Sequence, residues 1–239
     1  MYIPSTNAED RPEVLAAFMR EHPFATLVSA GPSGELWATH LPVVFDPARG
    51  AQGTIEGHIA RANPHHEFVR AAAEQGAAAR ESLVIFTGPD AYVTPSWYPT
   101  KAVHGRVVPT WNYIAVHAYG SLTLREDPAW LLEHVSRLTA QSEAGRAAAW
   151  EVSDAPEEYV VGQLKAIVGF ELRVTRLEGR WKMSQNRPPA DIDGVVAGLE
   201  ASDRPMDRAV GAIVDERRPG GAAVVRPGAS SYLAKEGER

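Results

Sequence analysis

The segment AYVTPSWYPTKAVHGRVVPTWNYIAVHAYGSLTLR, Ala91 to Arg125, contains no Asp or Glu. A chain with 30 acidic residues in 239 would place about four in a span of this length. The same segment holds Tyr92, Trp97, Tyr98, Trp111, Tyr113 and Tyr119 beside Lys101, Arg106, Arg125, His104 and His117. From Thr110 to Leu124 it alternates as one long strand, with Trp111, Tyr113, Ala115 and His117 on one face and Asn112, Ile114, Val116 and Ala118 on the other. Gly120 suggests a bend in that strand. An aromatic, cationic, acid-free stretch has two readings. It walls a pocket for a flat anionic ligand, rings giving stacking area and cations holding oxygens, or it is strand with the Tyr, Trp, Val and Thr content that strands favour.

Working outward, Phe24 to Ala30 and Leu36 to Phe45 read as a hairpin around Gly31-Pro-Ser-Gly34. Gly53 to Arg61 is a third strand, with Glu56 and His58 on one face, and Ser82 to Phe86 a fourth, broken by Gly88-Pro89-Asp90. Pro95, Pro99 and Pro109 fence off a long loop from Ser96 to Val108. Ala166 to Ser184 reads as a strand pair that turns at Leu177-Glu-Gly-Arg180. Helices are expected after the capping box Asp10-Arg-Pro-Glu13, from Asn63-Pro64 to about Gly76, and after Asp127-Pro128 and Pro156. Two more cover Asp191 to Leu199 and Asp203 to Val214. About seven strands with inserted helices and a late return of the sheet predict a small β-barrel with helical decorations, mainly β with helices (α+β).

Composition narrows the function classes. The absence of Cys excludes disulfides, thiolate nucleophiles and Cys-ligated metal sites. No HExxH pattern, G-x-S-x-G elbow, GxGxxG or Walker loop occurs, which argues against a zinc hydrolase, a serine hydrolase and the common nucleotide folds. The N-terminus lacks a basic and apolar leader, and no apolar run reaches membrane length, so a cytoplasmic, non-membrane protein is expected. A net charge of −6 weighs against a dedicated nucleic-acid binder. The region after residue 214, rich in Gly, Pro and Ser, reads as a flexible tail or a segment ordered by a partner.

One junction has its own chemistry. A strand ending at Arg61 feeds a helix that begins at Asn63-Pro64, where free backbone N–H groups and a guanidinium converge on a phosphate-sized space. A plain strand-to-helix junction with a solvated Arg is the alternative.

Several blocks together resemble the PaiB family: Gly57-His-Ile-Ala-Arg-Ala-Asn-Pro64, Gly88-Pro-Asp-Ala-Tyr-Val-Thr-Pro-Ser-Trp-Tyr98, Val108-Pro-Thr-Trp-Asn-Tyr-Ile-Ala-Val-His-Ala-Tyr-Gly120, Ala166 to Leu172 and Ser184-Gln-Asn-Arg187. Members are named FMN-binding negative transcriptional regulators, a role that belongs to the family name and is not visible in these residues. The resemblance implies a split β-barrel of the FMN-binding type with helical decorations, over residues 1–200, followed by a C-terminal helix and tail at 201–239. It implies a homodimer with FMN at the protomer interface, DNA being a possible partner that the net charge does not support. Haem is the alternative ligand, since a relative on this barrel binds and degrades it; His40, His58, His104 and His117 are then the candidate ligands, and a flavin oxidoreductase without a regulatory role is the other alternative. The cofactor-binding residues implied are His58, Arg61, Asn63, Trp97, Tyr98, Lys101, Trp111, Asn112, Gln185 and Asn186. Arg61 and Asn63 would meet the phosphate with help from Lys101 or Arg106, and His58 the ribityl chain or ring edge. Trp97, Tyr98, Trp111 and Tyr113 would wall the ring, and Asn112, Gln185 and Asn186 would bond its polar edge. Lys182 and Arg187 are further cations that would stand near a ring carbonyl. Catalytic residues are left unassigned, and no metal site is expected.

Overall fold

Every second residue of Phe24–Ala30 is buried, Ala25, Leu27 and Ser29 in turn, the alternation of a strand with one face on a core. The computed structural model, which describes residues 1–74 and 81–219, contains β1 (Ala8–Glu9), β2 (Phe24–Ala30), β3 (Leu36–Asp46), β4 (Thr54–Ala60), β5 (Ser82–Val93), β6 (Thr110–Arg125) and β7 (Ile167–Lys182). Between them lie α1 (Pro12–Glu21), α2 (His65–Glu74), α3 (Thr100–His104), α4 (Pro128–Glu143), α5 (Glu157–Lys165), α6 (Pro189–Glu200) and α7 (Pro205–Glu216). The strand order is β1-β7-β4-β3-β2-β5-β6, and β6 also pairs with β7. The hydrogen-bonded ring from β7 to β6 therefore returns on itself, the topology of a barrel.

The chain divides into two compact units. The first comprises Met1–Glu21, Thr87–Val116 and Glu178–Arg239, and the second His22–Phe86 and His117–Leu177. In the second unit, β2 and β3 pair antiparallel from Phe24↔Pro42 to Ala30↔Leu36, and β4 pairs with β7 from Thr54↔Arg173 to Ala60↔Ile167. Leu27, Ile55, Ile59, Val84, Phe86, Phe170 and Leu172 fill its core. Asp127 caps α4 through the Trp130 N–H at 2.8 Å, and Leu131, His134 and Leu138 form the buried stripe of that helix.

In the first unit, α6 and α7 pack together, and Val195 and Leu199 of the one and Val210 and Val214 of the other are fully buried. The edge of Trp181 meets Phe18 of α1 at 5.2 Å. The backbone of Trp97 sits directly against Gly194, where an added Cβ would come within 1.9 Å of its carbonyl oxygen, and its indole lies on Gly198. Only glycine permits that approach.

Four sequence expectations are corrected. Gly88-Pro89-Asp90 does not break the sheet, because β5 continues to Val93; Gly88 serves close packing, its backbone facing the Phe18 ring where a Cβ would lie 2.6 Å away. Leu177 to Arg180 is not a turn, and β7 is a single strand of 16 residues. Gly179 lies opposite Glu9 in β1 and beneath Leu15, so its missing side chain makes room for packing. The capping box at Asp10 is absent, and Glu9 instead accepts the Arg11 N–H at 3.1 Å ahead of Pro12. The loop from Ser96 to Val108 contains a short 3-10 turn at Pro95–Trp97 and α3. The expected helix end at Gly76 and the tail beyond residue 219 lie outside the described residues. No helix among the described residues is long and apolar enough to cross a membrane.

Candidate functional site

Strand β4 carries the polar chemistry of the second unit. Glu56 and Glu171 are direct partners across β4 and β7, an arrangement of like charges that repels unless bridged. Arg49 bridges them, donating to both carboxylates. Arg137 donates to the other oxygen of Glu56, and Arg125 to Glu171, through Nε at 2.7 Å. Burial works against the Glu56 charge, but His134, Arg137 and Arg49 outweigh it and hold the carboxyl below its usual range. For Glu171 burial is likewise outweighed, by Arg49 and Arg125.

Two residues along the same face, His58 Nδ1 lies 3.1 Å from Nε2 of the fully buried His134. Trp130, one turn earlier on α4, stacks on His134 with rings 11° from parallel, and the Trp130 ring occupies the space over Gly169, where a Cβ would lie 2.2 Å from it. Burial first, and His134 second, push His58 down to about 4, so it is neutral near pH 7.

At the end of β4, Arg61 is engaged by the chain itself. Its guanidinium donates to the carbonyls of Lys165 and Ile167 at 3.0 and 3.1 Å and to Glu126 at 3.0 Å, and Arg70 shares the same carboxylate. Asn63 accepts the His65 N–H at 3.0 Å and donates to Thr39 Oγ1 at 3.2 Å. Thr39 also bonds Nδ1 of the buried His65, whose Nε2 has no partner.

The first unit carries a different set of groups. Arg180 lies over the rings of Tyr2 and Tyr113, at 5.6 and 5.2 Å. Lys182 lies 5.9 Å from the Tyr113 ring and donates to Thr110 Oγ1 at 2.5 Å. Arg187 lies 4.6 Å from the Tyr98 ring. None of the three forms an ion pair with a described carboxylate. Burial, then the charges of Arg180 and Arg187, hold the Lys182 ammonium below its ordinary value. The cluster is thus a positive site on an aromatic floor whose cations have no ion-pair partner among the described carboxylates, an arrangement that an anion relieves.

Asn112, fully buried, exchanges hydrogen bonds with Ser184 at 3.1 and 3.2 Å. Ser184 has φ 60°, the one positive value outside glycine among the described residues. Gln185 accepts from Asn7 at 2.8 Å and from the Met183 N–H at 2.7 Å and donates to the Trp181 carbonyl at 2.5 Å. These amides therefore hold the turn that presents Arg187. Trp111 is half-exposed with Tyr92 at its edge, and Lys101 and Asn186 are exposed.

Of the residues expected from sequence, His58, Arg61 and Asn63 fall in the second unit and the other seven in the first. Sequence reasoning missed His134, inside the helix expected after Asp127-Pro128, and Arg180, hidden in a supposed turn. The alternation that put Glu56 and His58 on one face was the available signal for the first. A separate cavity of about 520 Å³, lined by Leu132, Ser136, Trp150, Val152, Val160 and Leu164 among others, contains none of the expected residues.

Residues 1–176 match the family described as "Putative FMN-binding domain". The chain is 35% identical to an uncharacterised protein of Aspergillus fumigatus, over 91% of this chain and 97% of that one. It is 31% identical to the protease synthase and sporulation protein PAI 2 of Bacillus subtilis, over 91% and 98% of the two chains. The solved FAD and heme binding protein from Mycobacterium smegmatis superposes with a TM-score of 0.51 at 16% identity, covering 74% of this chain and 73% of that one. With the strand order above, the fold is a split β-barrel of the FMN-binding type. The sequence motifs, the family match and the relatives agree: the chain belongs to the PaiB family of FMN-binding domains.

Proposed function

We propose that this protein binds FMN as a cytoplasmic homodimer, with the flavin where two protomers meet, and acts as a redox-linked negative transcriptional regulator. The observation that supports flavin binding best is the cluster of Arg180, Lys182 and Arg187, none ion-paired with a described carboxylate, over Tyr2, Tyr98 and Tyr113. FMN has the complementary parts, an anionic phosphate, a polyol chain and a flat ring, so the donor set fits the cofactor. In this reading Trp97 and Trp111 offer ring surface, the buried Tyr98 backs Arg187, and Lys101 and Asn186 contribute from exposed positions. Arg61 and Asn63 serve the phosphate with the N–H groups their internal bonds leave over, and His58 accepts from the flavin. Asn112 and Gln185 act by fixing the turn at Ser184. Residues 1–200 form the cofactor domain and 201–239 an appended helix and tail.

Bound FMN would supply the electron-transfer chemistry. The chain's part is to hold it, and cations beside its oxygens favour whichever state carries more negative charge. Family membership supports the regulatory half of the proposal. The net charge of −6 places regulation through flavin state and a partner ahead of direct DNA contact.

Haem is the second reading, favoured because the Mycobacterium smegmatis protein that shares this fold binds both FAD and heme. Absorption spectra of the purified protein, followed by separate titrations with FMN and haemin, distinguish the two. Saturable FMN binding with a flavin-shaped band is expected. A Soret band with no flavin affinity would transfer the assignment to haem and direct mutagenesis to His40, His58, His104 and His117.

A further inference from the structure

Glu56, His134 and His58 form a row in the second unit. His58 Nδ1 is 3.1 Å from His134 Nε2, and His134 Nδ1 is 3.9 Å from Glu56 Oε2. The last distance is too long for a hydrogen bond, so Glu56 acts on His134 through its charge. Where both imidazoles are neutral, one proton lies between them, and it has two possible owners. If His134 holds it on Nε2, the bare Nδ1 lone pair of His134 faces a carboxylate. If His58 holds it on Nδ1, His134 carries its own proton on Nδ1, pointed toward that carboxylate. The second arrangement is electrostatically favoured, and Arg49 and Arg137 keep Glu56 ionised to enforce it. The Trp130 stack and complete burial hold His134 in place.

The favoured arrangement leaves Nε2 of His58 as a bare lone pair. That atom makes no hydrogen bond to a described residue, and it is not among the atoms sealed from solvent. We propose that the Glu56–His134–His58 array makes His58 Nε2 a fixed hydrogen-bond acceptor, a site for a neutral O–H or N–H donor on a bound ligand that disfavours anionic oxygens. The occupant rests on the flavin reading: a ribityl hydroxyl or the ring N–H of the cofactor supplies such a donor. Asn63, Lys101 or Arg187 could bond either kind of oxygen, whereas this acceptor discriminates.

The test is long-range proton–nitrogen NMR of the full chain labelled at histidine nitrogen, near neutral pH and without ligand. A neutral His58 protonated on Nδ1 is expected; a His58 protonated on Nε2, or charged, would overturn the proposal. Glu56→Gln removes the charge that selects the tautomer, and its His58 spectrum should lose the single Nδ1–H signature while circular dichroism reports a folded chain. A folded variant with an unchanged signature counts against the array. Titration with riboflavin and with inorganic phosphate then reads the occupant: riboflavin should shift the His58 Nε2 resonance, and phosphate should leave it in place. Riboflavin or FMN binding seen by absorption with no movement at Nε2 would sink this inference and spare the flavin reading. Absence of any flavin binding would do the reverse, since the ligand-free tautomer still decides the acceptor.

Discussion

Replacing Lys182 by Met separates a ligand-binding cation from a structural one. The Met stem preserves most of the packing against Tyr113 and removes only the charge and the bond to Thr110. In the free protein two effects oppose. Losing the Thr110 bond, made by a charged donor, costs up to about 1.5–3 kcal/mol, while the cost of burying the ammonium disappears and Arg180 and Arg187 are relieved of a like charge. Stability of the free chain should therefore change by no more than about 1 kcal/mol. In the flavin complex the lost contact is a charge-assisted bond to an anionic oxygen, worth about 1.5–3 kcal/mol, or roughly a 10- to 150-fold rise in Kd. FMN titration by fluorescence quenching and urea denaturation of the ligand-free protein measure the two sides. The affinity difference should shrink with added salt in proportion to the solvent exposure of the cluster. Arg61→Ala is the contrast. Its guanidinium ties the end of β4 to Lys165, Ile167 and Glu126, so this variant should lose stability by about 1–3 kcal/mol whatever it does to affinity. A Lys182→Met protein that binds FMN as tightly as the parent, or that unfolds far more easily, would refute the assignment of this cluster as the anion site.

Two further outcomes are expected. The imidazoles of the half-buried His58 and the buried His65 are both pushed down to about 4, first by burial and then by their histidine neighbours, against about 6.5 in an unfolded chain. The unfolded state binds more protons between these values, so stability is complete above about pH 6.5 and falls toward pH 4, by up to about 2 kcal/mol per histidine at about pH 5. Glu9, held at about 2 by Arg11 and Arg217 despite its burial, adds a separate loss below about pH 4.5; denaturation curves flat between neutrality and pH 5 would contradict the histidine environments. Gly194→Ala drives a Cβ into the Trp97 carbonyl, at 1.9 Å in the present backbone, and should destabilise the first unit by about 1–3 kcal/mol with a shift in tryptophan fluorescence. An unperturbed melt would mean that this helix does not seat Trp97 as described.

The fold was legible where periodicity and burial coincide. Ala25, Leu27 and Ser29, or Asn112, Ile114, Val116 and Ala118, alternate in sequence as they do in burial, and Asp127 announced its helix. It was illegible where glycine serves proximity instead of turning. Gly88 and Gly179 lie inside continuous strands because Phe18, Leu15 and β1 come close there, a tertiary cause that no local window contains. The candidate site shows the same division. The acid-free run through Tyr98 and Trp111 pointed to the first unit's aromatic surface, and Lys182 and Arg187 were visible as cations. Their lack of carboxylate partners was not, because ion pairing is decided by distant segments. Arg61 illustrates the reverse, a cation that looked available in sequence and is largely satisfied by backbone carbonyls and Glu126.

The first unit gathers its pieces from the beginning, middle and end of the chain, and Met1 bonds to Glu178 across 177 positions. A ribosome therefore releases α1 and β1 long before the end of β7 exists to receive them. Until then Leu15, Phe18 and Met19 have no completed core to enter, and closing so large a loop slows folding more than it weakens the finished structure. Nascent chains of this protein should consequently remain dependent on apolar-binding chaperones until synthesis has passed about residue 200, and C-terminal truncations before that point should aggregate instead of yielding a smaller soluble barrel.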